Sequence, residues 1–242
     1  MLANRIPDVF VVETAELYVG AVFVPELNLI FIHVMKTGGS SISDALMEAF
    51  PNSAEKVRTR DYQDLVHRFQ IRDSLGFSKH NSLARYSSAL EASDFTAIDV
   101  LAVYRNPVHR VLSGHFCPPG LEDSEPKFSI YGLYKLVRDR KSLFQMLRAD
   151  GAQVAPNSVT LLNFRSLRVA AEDIGTKLQG IPKIFPHLNP SRRPGYERNP
   201  IFLAIAFLMV VTSHHVFDFV LGPGRHSTRT LDKLTLWALG YR

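Results

Sequence analysis

Two short runs, "LNLIFIHV" at residues 27–34 and "IDVLAVYR" at 98–105, present no polar face. A strand that is apolar on both sides must be covered on both sides, as inside a parallel sheet with helices above and below. Each run passes into a helix start through a cation, Lys36 or Arg105. After the first, Ile42, Ala45, Leu46, Ala49 and Phe50 recur at helical spacing until Pro51 and Asn52 stop the pattern. After the second, Asn106 is an N-cap candidate and Pro107 suits the first helical position. "SVTLLNF" predicts a third strand. "NSLARYSSALEA", capped by Asn81, "SLRVAAEDIGTKLQG" and an amphipathic stretch over 128–148 predict further helices. This alternation predicts an α/β domain with a central, mainly parallel sheet flanked by helices.

The 242 residues suit one large domain or one domain with an appendage. A lone cysteine, Cys117, cannot form an intrachain disulfide, so oxidative stapling plays no part in the expected fold and a reducing compartment is compatible. The first twenty residues include Arg5, Pro7, Asp8 and Glu13 and lack a clean apolar stretch, so no signal peptide is expected and the location read is cytoplasmic. Residues 201–221 approach the length of a membrane span, but Thr212, Ser213, His214, His215 and Asp218 interrupt them. They are read as buried core, and membrane association is not expected. The formal net charge of +5 favours an anionic ligand, yet the cations come in pairs and triplets without a long basic run, so nucleic acid is not an expected partner.

Both strand-to-helix junctions carry chemistry suited to phosphate. Ligands in open α/β sheets bind at the carboxyl ends of the strands. At the first junction, "MKTGGSS", Gly38 and Gly39 allow a tight backbone nest, Thr37, Ser40 and Ser41 offer hydroxyls, and Lys36 brings a positive charge to a helix N-terminus. The order is the reverse of G-x-x-x-x-G-K-[ST], and no Walker-type magnesium residue is evident, which counts against a nucleoside triphosphatase. At the second junction, the Arg105 fork and the Ser113 hydroxyl, roughly in line with Asn106, His109 and Arg110, suit a second phosphate monoester. "HHVFD", with His214, His215 and Asp218, lacks zinc-like spacing, and no metal site is expected.

Taken in order, "MKTGGSSI", "SKHNSLARY", "YRNPVHRVLSGHF" and "GIPKIFPHLNPSRRPGY" resemble motifs of the carbohydrate branch of the sulfotransferases, the heparan sulfate 2-O-sulfotransferase-like and related bacterial enzymes. The resemblance implies a three-layer, P-loop-like domain over residues 27–198, preceded by an N-terminal extension, 1–26, and followed by a segment of uncertain packing, 199–242. It implies 3′-phosphoadenosine 5′-phosphosulfate (PAPS) as sulfuryl donor, with Lys36, Thr37, Gly38, Gly39, Ser40 and Ser41 at the 5′-phosphosulfate and Arg105 and Ser113 at the 3′-phosphate. No metal is implied. The acceptor would be a hydroxyl of a glycan or related compound, with Lys36 stabilising charge at the bridging oxygen and His80, whose ordinary pKa near neutrality suits proton abstraction, as base. Three departures stand out: Met35 replaces a usual proline, Arg165 in "LNFRSL" replaces a usual acid, and the usual Tyr-rich acidic helix is not found after Tyr196. Two other readings are a non-catalytic PAP- or nucleotide-binding module and, more remotely, a P-loop kinase relative. The acceptor's identity and the oligomeric state are left open.

Overall fold

Side chains of the second strand alternate between two separate cores, and this places the sheet at the centre of the molecule. Leu29 and Phe31 lie in one cluster and Ile30 and Ile32 in another, as the two-residue period of a strand requires. The computed structural model describes residues 22–24, 27–49, 55–56, 82–89, 92–116, 128–149, 154–167, 199–222 and 228–241. His80, Asn81, Cys117, the late basic motif and nearly all of the helix expected from residue 166 onward lie outside them.

The strands are β1 (Val22–Val24), β2 (Leu29–Ile32), β3 (Glu55–Lys56), β4 (Asp99–Tyr104), β5 (Ser158–Asn163) and β6 (Thr228–Thr230). They form one sheet in the order β3-β1-β2-β4-β5-β6. β4 runs parallel to both β2 and β5, while β1, β3 and β6 join antiparallel at the margins. The chain is thus an α/β protein whose parallel centre is formed by the three runs expected from the sequence. The sheet also takes in strands on both sides of the 27–198 span: β1 precedes it and β6 follows it.

Helix α1 (Gly39–Ala49) covers one face, where Ile42 and Leu46 meet Leu29, Phe31, Leu101 and Val103. On the other face Ile30, Ile32, Val100, Ala102, Val159 and Leu161 pack against α2 (Leu83–Ala89), α3 (Ala92–Thr96), α6 (Leu143–Leu147) and the C-terminal residues Leu231, Leu239 and Tyr241. Phe31 and Leu101 are at most 2% exposed, and burial of side chains of that size contributes about 2 kcal/mol each.

A third cluster joins α4 (Pro107–Phe116), α5 (Ile130–Asp139) and α7 (Pro200–Val211) through Val111, Leu112, Leu133, Val137, Ala206 and Val210. The stretch 128–148, expected as one amphipathic element, is two helices. The first stops at Arg140, and Ser142 starts the second through a reciprocal capping box with Gln145.

The reading of 201–221 as buried core is only half met. Ala206 and Val210 are buried, but Ile201 and Leu208 remain more than 60% exposed. Among the described residues no single helix is long and apolar enough to cross a membrane; α7 and the segment His214–Leu221 pass that test only together and are bent by 93°.

Candidate functional site

The turn after β2 is built by three constraints on its backbone. Lys36 adopts φ +62° and Gly38 φ +77°, both left-handed. Gly38 does so without a steric penalty, whereas at Lys36 the conformation must be imposed by its surroundings. Two hydrogen bonds impose it: the Thr37 hydroxyl donates to Val34 O at 2.7 Å, and Arg105 Nη1 donates to Lys36 O at 3.0 Å. Thr37 is fully buried, so its hydroxyl holds the turn and has no proton left for a ligand. Gly39 is required for a different reason: a Cβ there would sit 2.2 Å from the ring of His33, which is buried beneath the helix start.

The first described backbone bond of α1 runs from Ile42 N to Gly38 O. The amides of Gly39, Ser40 and Ser41 therefore lie ahead of the helix ladder, where amides are directed out of the N-terminus and carry its partial positive charge.

Arg105 leaves β4 directly beside this turn because β2 and β4 are neighbours in parallel. Its guanidinium also lies over the Phe164 ring, 4.3 Å from the ring centre. Phe164 follows β5 and backs Gly38 as well, its Cε2 standing 3.1 Å from where a Cβ would be. Three adjacent parallel strands thus end in one construction: the lysine turn, the arginine that clasps it, and the aromatic ring beneath both. Phe164 was not among the residues expected at the site, although its place just past a parallel strand was a usable signal.

Asn106 caps α4 as expected, accepting from Val108 N at 3.0 Å and His109 N at 3.4 Å. Ser113 lies nearly buried two turns along that helix, about 9 Å from its start by the helical rise, and makes no side-chain hydrogen bond to the turn. Arg165 reaches across to α4, its Nη2 donating to His109 Nε2 at 3.1 Å. Arg110, grouped with the second phosphate by sequence, instead points inward: Nη2 donates to Asp218 Oδ2 at 2.8 Å and to His215 Nδ1 at 2.7 Å.

This buried cluster explains the residues read as "HHVFD". Asp218 also accepts from the amides of Leu143 at 3.1 Å and Phe144 at 2.7 Å, so one carboxylate joins α4, α6 and the C-terminal segment. Burial opposes its charge, but Arg110 and the two amides outweigh that and hold its pKa below the usual carboxyl value. Burial lowers the pKa of His215, leaving it neutral, with Nε2–H donating to Val137 O at 3.0 Å. The pKa of Tyr104, just before Arg105, is raised by burial and then by the Asp218 charge.

Among the described residues no group of three or more His, Cys, Asp or Glu is placed to hold a metal ion. Comparison with protein-family models, with curated proteins and with solved structures gives no match. Lys36, Thr37, Gly38, Gly39 and Arg105 are brought together; the Ser40 and Ser41 amides adjoin them, Ser113 lies two turns along α4, and His80 is outside the described residues.

Proposed function

We infer that this chain is a PAPS-dependent sulfotransferase, built on a three-layer, P-loop-like domain and acting on a hydroxyl of a carbohydrate or related acceptor. The observation that carries the reading is the clasp of Arg105 on Lys36 O at 3.0 Å. It sets two cations from neighbouring strands, about 4.8 Å apart, around one helix N-terminus, a fit for a donor with two separated anionic ends. The helix-start amides and Lys36 would hold the 5′ end, and Arg105, with Ser113 further along α4, the 3′-phosphate.

The donor supplies a sulfuryl group on a stable leaving phosphate. The chain's own part is positioning and charge stabilisation. The Lys36 ammonium would stabilise the negative charge that grows on the departing oxygen. Its strained backbone, held by Thr37 and Arg105, fixes the direction in which the side chain leaves the turn. His80 is the residue assigned to take the acceptor's hydroxyl proton.

The test is calorimetric titration with PAP, run beside transfer of label from PAPS to a panel of neutral and acidic glycans. PAP binding with transfer supports the reading. Binding without transfer to any acceptor makes the chain a non-catalytic PAP-binding module, and absence of both overturns the assignment.

A further inference from the structure

Arg140 is an arginine beside the turn whose charge meets no anion among the described residues. It closes α5, its amide donating to Leu136 O and its carbonyl accepting from His214 Nε2, so the backbone is fixed on both sides. Its partly buried side chain reaches the first junction, where Nη1 donates to Met35 Sδ at 3.1 Å. A thioether is a weak acceptor for one of five guanidinium N–H groups. Among the described residues no carboxylate pairs with Arg140: neighbouring Asp139 turns to Arg138 at 2.7 Å, and Asp218 is engaged by Arg110. Burial lowers the pKa of Arg140, so its charge is desolvated without an anion in return.

We propose that Arg140 is a further binding residue of this site, taking an oxyanion, sulfate or carboxylate, of the molecule held against the Met35–Lys36 turn. Met35 fits this role better than an acidic residue would, because its sulfur orients the fork without neutralising it. The inference rests on the sulfotransferase reading only for the source of the oxyanion, which is the donor's sulfuryl end or an acidic group on the acceptor.

The experiment uses the full chain with 15N-labelled arginine. The Arg140 Nε–Hε resonance is assigned by its loss in Arg140→Lys and followed through titrations with inorganic sulfate, with PAP and PAPS, and with a hexuronate-bearing or a neutral disaccharide in the presence of PAP. The expected result is a shift with sulfate, and a loss of about tenfold to a hundredfold in affinity for the oxyanion in Arg140→Gln, the cost of a charge-assisted contact. A shift with PAPS but not PAP assigns the oxyanion to the donor's sulfuryl end; a shift with the acidic disaccharide alone assigns it to the acceptor. An Arg140 resonance that moves with none of these, while that of Arg105 does, overturns the proposal. Failure of PAP to bind would instead strike the sulfotransferase reading, since inorganic sulfate still reads Arg140 by itself. The wild-type titrations decide the matter even where Arg140→Gln does not fold.

Discussion

Replacing Asp218 by alanine would strip three donors of their acceptor at once. Arg110 would remain buried with His215 as its only described side-chain partner, and the Leu143 and Phe144 amides would lose theirs. Breaking a buried pair in this way costs about 4 kcal/mol, because the surviving charge stays desolvated. For a chain of this size that lowers Tm by about 10 °C. Urea unfolding gives the free energy directly, and a cycle with Arg110→Met separates pairing from packing. With both charges gone, the double variant should lose about 2 kcal/mol less than the sum of the single losses. The acid limb carries the same signature. A carboxyl held below its ordinary value contributes stability that is complete above about pH 4, the unfolded value, and is lost as pH falls through the folded one. D218A should therefore unfold with a shallower pH dependence below about pH 4. A loss under about 1 kcal/mol, or an additive cycle, would refute the argument that this cluster holds α4 to the C-terminal segment.

Other substitutions address the turn. Lys36→Ala and Lys36→Gly should both reduce sulfuryl transfer by about a thousandfold, yet the glycine variant should be the more stable by about 1 kcal/mol, because only glycine accepts φ +62° freely; equal urea midpoints would contradict this. Arg105→Lys keeps the charge but loses the fork that spans Lys36 O and the Phe164 face. Calorimetry should show PAP affinity falling at least about tenfold, and unchanged affinity would remove Arg105 from the site. Gly39→Ala must displace the His33 ring. It should cost about 2 kcal/mol in denaturant unfolding, and a neutral effect would mean that the ring yields without resistance.

Much of this was legible because local and global demands coincide. "LIFI" and "DVLAVY" have no polar face to offer water, so they could only be central strands, and Asn106–Pro107 could only begin a helix. The same reasoning extends to Asn199–Pro200, which starts α7 with the same two residues and the same capping bond, a signal that sequence reading passed over. Ser142 and Gln145 likewise spell a capping box that divides 128–148. Other features have no local signature. β6 is three residues of Thr-Arg-Thr at a sheet margin, and its pairing to β5 comes from a register that no nearby residue dictates. The partnership of Arg110 with Asp218 joins positions 108 residues apart. α7 misled in the opposite sense: its side chains are apolar all round, but packing against α4 and α5 can shelter only one side of a helix.

The reach of that Arg110–Asp218 bond has a consequence for synthesis. A chain emerging from the ribosome exposes the β2 and β4 turns early, yet the carboxylate that anchors α4 beside them arrives more than a hundred residues after Arg110. Until then the helix following Arg105 carries an inward-facing cation with no counter-charge, and the edge of β5 lacks the strand that covers it. A nascent chain stalled before Asp218 would therefore present the lysine turn without the carboxylate that anchors the helix beside it.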